Sequence, residues 1–194
     1  MSLQYVLLFL CFIFITIKGD KPPTYFPNLP LGEYKLKFKA LFPCESTENH
    51  KLQYNVYFSK KTATEFELKG NMTLHVPFDD SVSISINMAV KSSIGGWKDN
   101  AHVYTTTNAC SKTIWLFGEL WNDIVRGFHL PRFNCPTPPG VYVTSGIDME
   151  KLRQNNFPKK FFYGEYKMTF LFTKSTGEKL GCFVLVLDVI RPWE

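Results

Sequence analysis

The sequence predicts a mainly β protein, an antiparallel sandwich or cup of strands with one short helix. Most of the chain alternates apolar and polar residues with the period of two that is typical of half-buried strands. Short turn signals separate these runs, which indicates an antiparallel meander. One segment, between Cys110 and Cys135, instead has apolar residues at helical spacing. Such a helix either plugs the core or forms one wall of a cavity, and the pattern alone allows both.

Residues 1–19 have the character of a signal peptide. The chain is almost continuously apolar from Leu3 to Ile17, and this run of 15 residues is shorter than the roughly 20 that span a bilayer. Ile17 and Gly19 suit the −3 and −1 positions of a cleavage site. An uncleaved anchor is the weaker alternative. We therefore expect a protein that is secreted to the extracellular space.

Cleavage would leave residues 20–194, which have the usual length of one domain. They contain four cysteines: Cys44, Cys110, Cys135 and Cys182. In an oxidising compartment these predict two disulfides, and three pairings are open. We expect no metal site, because the cysteines show no Cys-x-x-Cys spacing and no cluster with histidine.

Four alternating runs follow the signal segment. The predicted inward face of the first run is Tyr34, Leu36, Phe38, Ala40 and Phe42. Similar runs cover residues 52–58, 66–76 and 82–90. Their alternation predicts strands with one apolar face.

A polar, glycine-containing segment from Lys91 to Asn100 exposes one large side chain, Trp97. We favour a loop whose tryptophan folds back onto the strands. The alternative is a lipid-facing lip, because an indole ring suits a polar/apolar boundary. Trp97 is therefore a candidate ligand-binding residue.

The cysteine-led segment predicts one helix with an N-cap at Ser111 and an end near Gly127. Its apolar stripe is Ile114, Phe117, Trp121 and Ile124. The stripe has more large rings than a short capping helix requires. We predict that it borders a ligand cavity, and a solid core is the alternative.

Two strands are predicted at the C-terminal end. The first alternates through Tyr166, Met168, Phe170 and Phe172, and the second, Leu180 to Val189, is apolar on both faces. A strand with two apolar faces is central in its sheet, or has one face covered by a helix or a ligand.

Composition and motifs argue against several classes of function. The formal charge is +5, from 22 basic and 17 acidic residues, and the lysines alternate along strands without forming a block. This favours solvated strand faces over nucleic-acid binding and leaves open a weak attraction to anionic lipid headgroups. The chain has no Gly-x-Ser-x-Gly or His-Glu-x-x-His motif, and its four histidines are scattered. We therefore expect no enzymatic activity and no cofactor.

Several short motifs recur in a fixed order from the centre of the chain onward. They are Gly96-Trp97, the cysteine-led helix Cys110 to Ile124, Cys135-Pro136, Gly140-Val141-Tyr142, Phe157-Pro158, Gly164-Glu165-Tyr166 and Gly177 to Cys182. In this order they resemble the ganglioside activator proteins of the ML lipid-recognition group. The resemblance is greatest to the insect CheB-like chemosensory branch of that group.

The resemblance implies a cup of antiparallel strands whose apolar interior holds lipid, capped by mobile loops and a short helix. It also implies that Cys44 pairs with Cys182 and that Cys110 pairs with Cys135. The chain lacks two of the four disulfides of the ganglioside activators. Their loop geometry and their glycolipid are therefore not carried over.

We expect a secreted, non-enzymatic carrier of a hydrophobic ligand such as a lipid, a fatty acyl chain or a hydrocarbon pheromone-like molecule, with a role in contact chemosensation. The expected ligand-binding residues, in the cavity or at its lip, are Phe38, Trp97, Phe117, Trp121, Ile124 and Phe170. The alternative is an extracellular interaction or enzyme-activator protein that docks through an aromatic lip. Contact with a membrane surface or a receptor fits both functions.

Asn71 begins a glycosylation sequon, Asn71-Met72-Thr73, on the polar side of its predicted strand beside Lys69. We predict that Asn71 carries a glycan when the chain passes through a eukaryotic secretory pathway. Asn71→Gln should then lose the mass of one glycan and fold normally, as checked by intact-protein mass spectrometry and circular dichroism. An unchanged mass would mean that the sequon is unused, and a misfolded variant would mean that the strand faces are reversed.

Overall fold

The computed structural model describes residues 29–47, 49–62, 65–149 and 156–194. The predicted signal peptide, residues 1–19, lies outside this part of the chain and stays a prediction. The described residues are mainly β, with 54% strand and 11% helix, and their sheets are antiparallel. The predicted fold class, a β-sandwich or cup with short helical structure, is confirmed.

Ten strands and two helices lie in the described residues. The strands are β1 (Leu31–Gly32), β2 (Lys35–Pro43), β3 (Leu52–Lys60), β4 (Phe66–Leu74), β5 (Val82–Lys91), β6 (Trp97–Thr106), β7 (Gly140–Asp148), β8 (Phe161–Phe162), β9 (Gly164–Lys174) and β10 (Lys179–Ile190). The helices, both between β6 and β7, are α1 (Ala109–Phe117) and α2 (Leu120–Gly127). Neither is long and apolar enough to cross a membrane, and the same holds for all helical structure in the described ranges.

Two larger sheets face each other, and a two-stranded ribbon joins β1 to β8. The five-stranded sheet has the order β2-β10-β9-β5-β6, and the three-stranded sheet has the order β3-β4-β7. The predicted meander is correct for β3–β4, and the predicted C-terminal pair β9–β10 is confirmed. The meander is wrong for β2, which pairs with β10, and for β4 and β5, which lie in different sheets. The strand β6, which pairs with β5, has no counterpart in the sequence prediction. In a sandwich the chain crosses from one sheet to the other, so strands that are consecutive in the sequence need not pair. The strand β10, apolar on both faces, takes the expected inner position between β2 and β9.

A bulge in β2 changes which side chains face the core. Phe38 pairs with Leu187 but Ala40 pairs with Val186, so the residue between them is an extra one. The extra residue inverts the alternation that follows it. Leu41 packs against the core and Phe42 is 44% exposed. The prediction that Ala40 and Phe42 share the inward face of Phe38 is therefore wrong.

Lys39 is the extra residue of the bulge. Its ammonium group lies 2.8 Å from an Asp188 carboxylate oxygen and 3.0 Å from one of Glu165. The hydrogen bond to Asp188, followed by that to Glu165, raises the pKa of Lys39. The cluster joins β2, β9 and β10 on the outer face of the five-stranded sheet.

Both disulfides are present in the pairing that the family resemblance implied. Cys44 is bonded to Cys182, with their Cα atoms 5.5 Å apart, and this bond joins the end of β2 to β10. Cys110 is bonded to Cys135, with Cα atoms 6.0 Å apart, and this bond joins α1 to the loop before β7. The disulfide prediction is confirmed.

The prediction of one helix with an N-cap at Ser111 is wrong in two details. Gly118 has φ 55° and ψ −127°, and this non-helical conformation separates α1 from α2. The N-cap is Asn108 and the first helix begins at Ala109, three residues earlier than expected. Ser111 donates to Asp80 through its amide at 2.8 Å and through its hydroxyl at 2.5 Å. Ser111 thus anchors the first turn of α1 to the residues before β5.

Asn71 lies on the outer face of the three-stranded sheet. It pairs with Asn55 on one side and with Val143 on the other, and Val143 is 57% exposed. The predicted strand face is therefore confirmed, and glycosylation of Asn71 stays a prediction.

The two larger sheets come close together at Gly181 of β10. A Cβ atom added there would lie 2.6 Å from the carbonyl oxygen of Leu52 and 2.9 Å from its Cβ atom. On the same side of the sandwich β2 contacts β3, while α1 contacts β5 and α2 contacts β7. The helices therefore close the other side, between β5 and β7.

We predict that Gly181→Ala destabilises the fold by about 1–3 kcal/mol, because the methyl group forces the sheets apart. Urea unfolding followed by circular dichroism measures the change. Lys179→Ala is the matched control, since Lys179 is exposed in the same strand and should change stability by no more than about 0.5 kcal/mol. Equal stability of the alanine variant at Gly181 and the wild type would contradict this packing.

Candidate ligand-binding interior

The space between the sheets is lined by two clusters of apolar side chains. The larger cluster is centred on Leu52 and Phe172, and the smaller one on Tyr166 and Leu187. Four partly buried side chains pack against both clusters: Met88, Phe117, Ile124 and Met168. The interior is therefore one continuous apolar region that extends from the strands to the two helices.

A row of apolar side chains crosses the centre of the five-stranded sheet. Met168 of β9 pairs with Met88 of β5 on one side and with Leu185 of β10 on the other. All three pack against the interior clusters, yet all three are only half-buried. Side chains at the centre of a close-packed sandwich would be almost fully enclosed. The interior therefore keeps accessible apolar surface along this row.

A second row beside the first has the same property. Phe170 of β9 pairs with Phe183 of β10, and their rings stack with centroids 4.6 Å apart. Both rings pack against the larger cluster and remain half-buried. Phe170, a predicted ligand-binding residue, therefore lies on the accessible part of the interior.

The helical residues of the predicted site divide into two groups. Phe117, the last residue of α1, and Ile124 of α2 are half-buried and contact both clusters. Trp121 is only 7% exposed, and its indole N–H donates to the Phe133 carbonyl oxygen at 2.6 Å. Phe117 and Ile124 lie on the accessible surface, and Trp121 lies in the packed layer around it.

Phe38 of β2 also belongs to the packed layer. It is 8% exposed, and its ring lies 4.9 Å from that of Phe58, centroid to centroid. This contact joins the two sheets on the side where β2 meets β3. Phe38 supports the interior and has little accessible surface of its own.

Trp97 is separated from the other predicted residues. It opens β6 opposite Lys91, and its ring centroid lies 4.9 Å from the Lys91 ammonium and 5.4 Å from that of Lys167. Lys167 pairs with Ala89 and alternates with the inward-facing Tyr166 and Met168. The indole therefore folds back onto the outer face of the five-stranded sheet, as the sequence favoured. The predicted loop of residues 91–100 is too long, because β5 extends to Lys91 and β6 begins at Trp97.

An open groove of about 300 Å³ lies on this same outer face. Its lining is Ser85, Asn87, Ala89, Asp99, Lys167, Thr169 and Leu171. The groove has both polar and apolar lining, and the sheet itself separates it from the apolar interior.

Burial makes the interior unfavourable for charge. It raises the pKa of the phenol of Tyr54, which stacks on Phe172, and also that of Tyr166. The Tyr166 hydroxyl donates to the Phe162 carbonyl oxygen at 3.1 Å. The region is thus suited to neutral, apolar groups and offers little to an ion.

Sequence reasoning missed the residues that form the central row, Met88, Met168 and Leu185. Their alternation correctly predicted that Met88 and Met168 lie on apolar strand faces. Which strands become neighbours depends on pairing between distant segments, so the row itself had no local signal.

Comparisons with protein-family models and with curated proteins find no match to this chain. The assignment of the interior therefore rests on the residues and their geometry.

We predict that Trp121→Ala and Phe170→Ala differ in their effects on stability. Loss of the enclosed indole should cost about 3–5 kcal/mol, whereas loss of the half-buried Phe170 ring should cost less, because it already borders accessible space. Urea unfolding of both variants measures the difference. Equal large losses would indicate a solid core around Phe170 and would contradict an accessible interior.

Proposed function

We propose that this chain is a secreted, non-enzymatic lipid-binding protein that holds one hydrophobic ligand between its two sheets. The observation that carries the proposal is the row of Met88, Met168 and Leu185, which faces the interior and yet remains half-buried. A ligand that covered this row would remove its apolar surface from water.

The chemistry of the lining favours an acyl or similar alkyl chain. Methionine side chains are unbranched and polarisable, so they adapt to ligands of varied shape. Each buried methylene contributes about 0.8 kcal/mol, and about ten of them would give roughly 8 kcal/mol before the costs of association. That free energy corresponds to micromolar affinity at most.

Secretion is consistent with the two disulfides, which form and persist in oxidising compartments. The apolar N-terminal run is the sequence feature that would direct the chain there. A role in contact chemosensation is the finer part of the proposal, and it is supported by the resemblance of the ordered motifs to the CheB-like proteins.

The alternative of an interaction or enzyme-activator protein depended on an exposed aromatic lip at Trp97. That ring is half-buried, with the ammonium groups of Lys91 and Lys167 beside it. The geometry of Trp97 therefore favours the carrier over this alternative.

A blocking substitution tests the proposal. Met168→Trp should fill the space beside the central row and weaken binding of a fluorescent fatty acyl probe by more than about tenfold. Thr169→Trp is the matched control, because Thr169 is the next residue on β9, lines the outer groove and should leave probe affinity unchanged. Fluorescence titration measures both affinities, and urea unfolding verifies that both variants fold.

A wild-type protein that never binds the probe would contradict the proposal. Equal affinities of the wild type and Met168→Trp would place the probe elsewhere and would also contradict it. A selective loss in Thr169→Trp would instead identify the outer groove as the binding surface.

A further inference from the structure

The Tyr54 side chain enters the apolar interior from the three-stranded sheet. Tyr54 of β3 pairs with Met72 of β4. Its ring stacks on Phe172 with centroids 5.4 Å apart and meets Phe183 edge-on at 5.0 Å. A Cβ atom added at Gly181 would lie 3.2 Å from the Tyr54 ring. Tyr54 therefore packs against the five-stranded sheet through two aromatic contacts.

The hydroxyl of Tyr54 has no hydrogen-bond partner in the described part of the chain. A buried hydroxyl without a partner loses the free energy of its hydrogen bonds to water, so buried tyrosines normally find one. The other inner tyrosines follow this rule: Tyr166 donates to the Phe162 carbonyl oxygen and Tyr142 to that of Pro138. Tyr54 is an exception among them.

The exception is explained if the hydroxyl borders the accessible interior. The Tyr54 phenol is deep enough for burial to raise its pKa, yet the side chain keeps accessible surface. Among the described residues, the enclosed polar side-chain atoms without a partner are His50 Nδ1 and Arg191 Nε, and the Tyr54 hydroxyl is not one of them. A hydroxyl that is deep, accessible and unpaired is a hydrogen-bonding group directed at the space that a ligand would occupy.

We propose that Tyr54 is the polar anchor of the interior, and that the ligand is a neutral lipid with an oxygen atom, such as a fatty alcohol, ester or ketone. This inference rests on the proposed function, because it requires a ligand between the sheets. The Tyr54 hydroxyl donates to the ligand oxygen, and the alkyl chain covers the row of Met88, Met168 and Leu185.

The surroundings of Tyr54 favour a neutral, oxygen-containing lipid over a plain hydrocarbon and over a fatty acid carboxylate. A plain hydrocarbon fits the apolar walls but leaves the hydroxyl unpaired. A fatty acid carboxylate would lose its hydration beside Phe172, Phe183 and Met72, whose side chains provide no positive charge. An uncharged oxygen satisfies the hydroxyl at a smaller desolvation cost.

The test compares dodecane, dodecanol, methyl undecanoate and dodecanoate as competitors of a fluorescent acyl probe near pH 7.5. The wild type should prefer the alcohol and the ester to the alkane by roughly five- to tenfold, the ratio expected from one hydrogen bond. Dodecanoate should bind more weakly than the alcohol. Tyr54→Phe should remove the preference and leave alkane affinity unchanged.

Tyr57→Phe is the matched control, because Tyr57 lies three residues further along β3 and is 53% exposed on the outer face. This variant should keep the preference of the wild type. If Tyr54→Phe does not fold, the infrared carbonyl band of methyl undecanoate bound to the wild type tests the hydrogen bond instead. A band at lower frequency than in hexane supports the hydrogen bond, and the hexane frequency overturns it.

The outcomes separate the two proposals. Equal affinity for alkane and alcohol in the wild type, or an unchanged preference in Tyr54→Phe, overturns the role of Tyr54 and leaves the carrier intact. Tighter binding of dodecanoate than of dodecanol also overturns the proposal that the ligand is neutral. Binding of none of the four competitors overturns the carrier itself.

Discussion

The close contact between the two sheets at Gly181 and Leu52 determines the rest of the structure. Because no side chain fits between these residues, the sheets are held together on the side of β2 and β3, where the Cys44–Cys182 disulfide also lies. Twisted sheets that touch on one side separate on the other. The two short helices occupy that wider side, and the accessible apolar surface lies between it and the contact.

The helical segment combines two roles because it is broken at Gly118. Phe117 ends the first helix and keeps accessible surface toward both apolar clusters, whereas Trp121 in the second helix is enclosed and bonded to the loop carbonyl of Phe133. A continuous helix would place both rings on one stripe with equivalent surroundings. The break allows one ring to border the interior and the other to secure the wall behind it.

The sequence predicted the features that depend on local periodicity, including most strands, the alternation around Asn71 and the helical stripe. It did not predict the bulge at Lys39, because the charge cluster with Glu165 and Asp188 forms only after β2, β9 and β10 pair. The central row and the position of the unpaired Tyr54 hydroxyl also depend on pairing between distant segments. Each depends on strand register, and a shift of one residue would move these side chains to the opposite face.

We propose that a ligand chain occupies the interior beside Met88, Met168 and Leu185. A crystal of the protein grown with a dodecanol brominated at its far end tests this most directly, because anomalous scattering locates the bromine. We expect a bromine peak between the two sheets, with the ligand hydroxyl at Tyr54. A bromine peak confined to the outer groove, or an interior filled by side chains with no bromine, would contradict it.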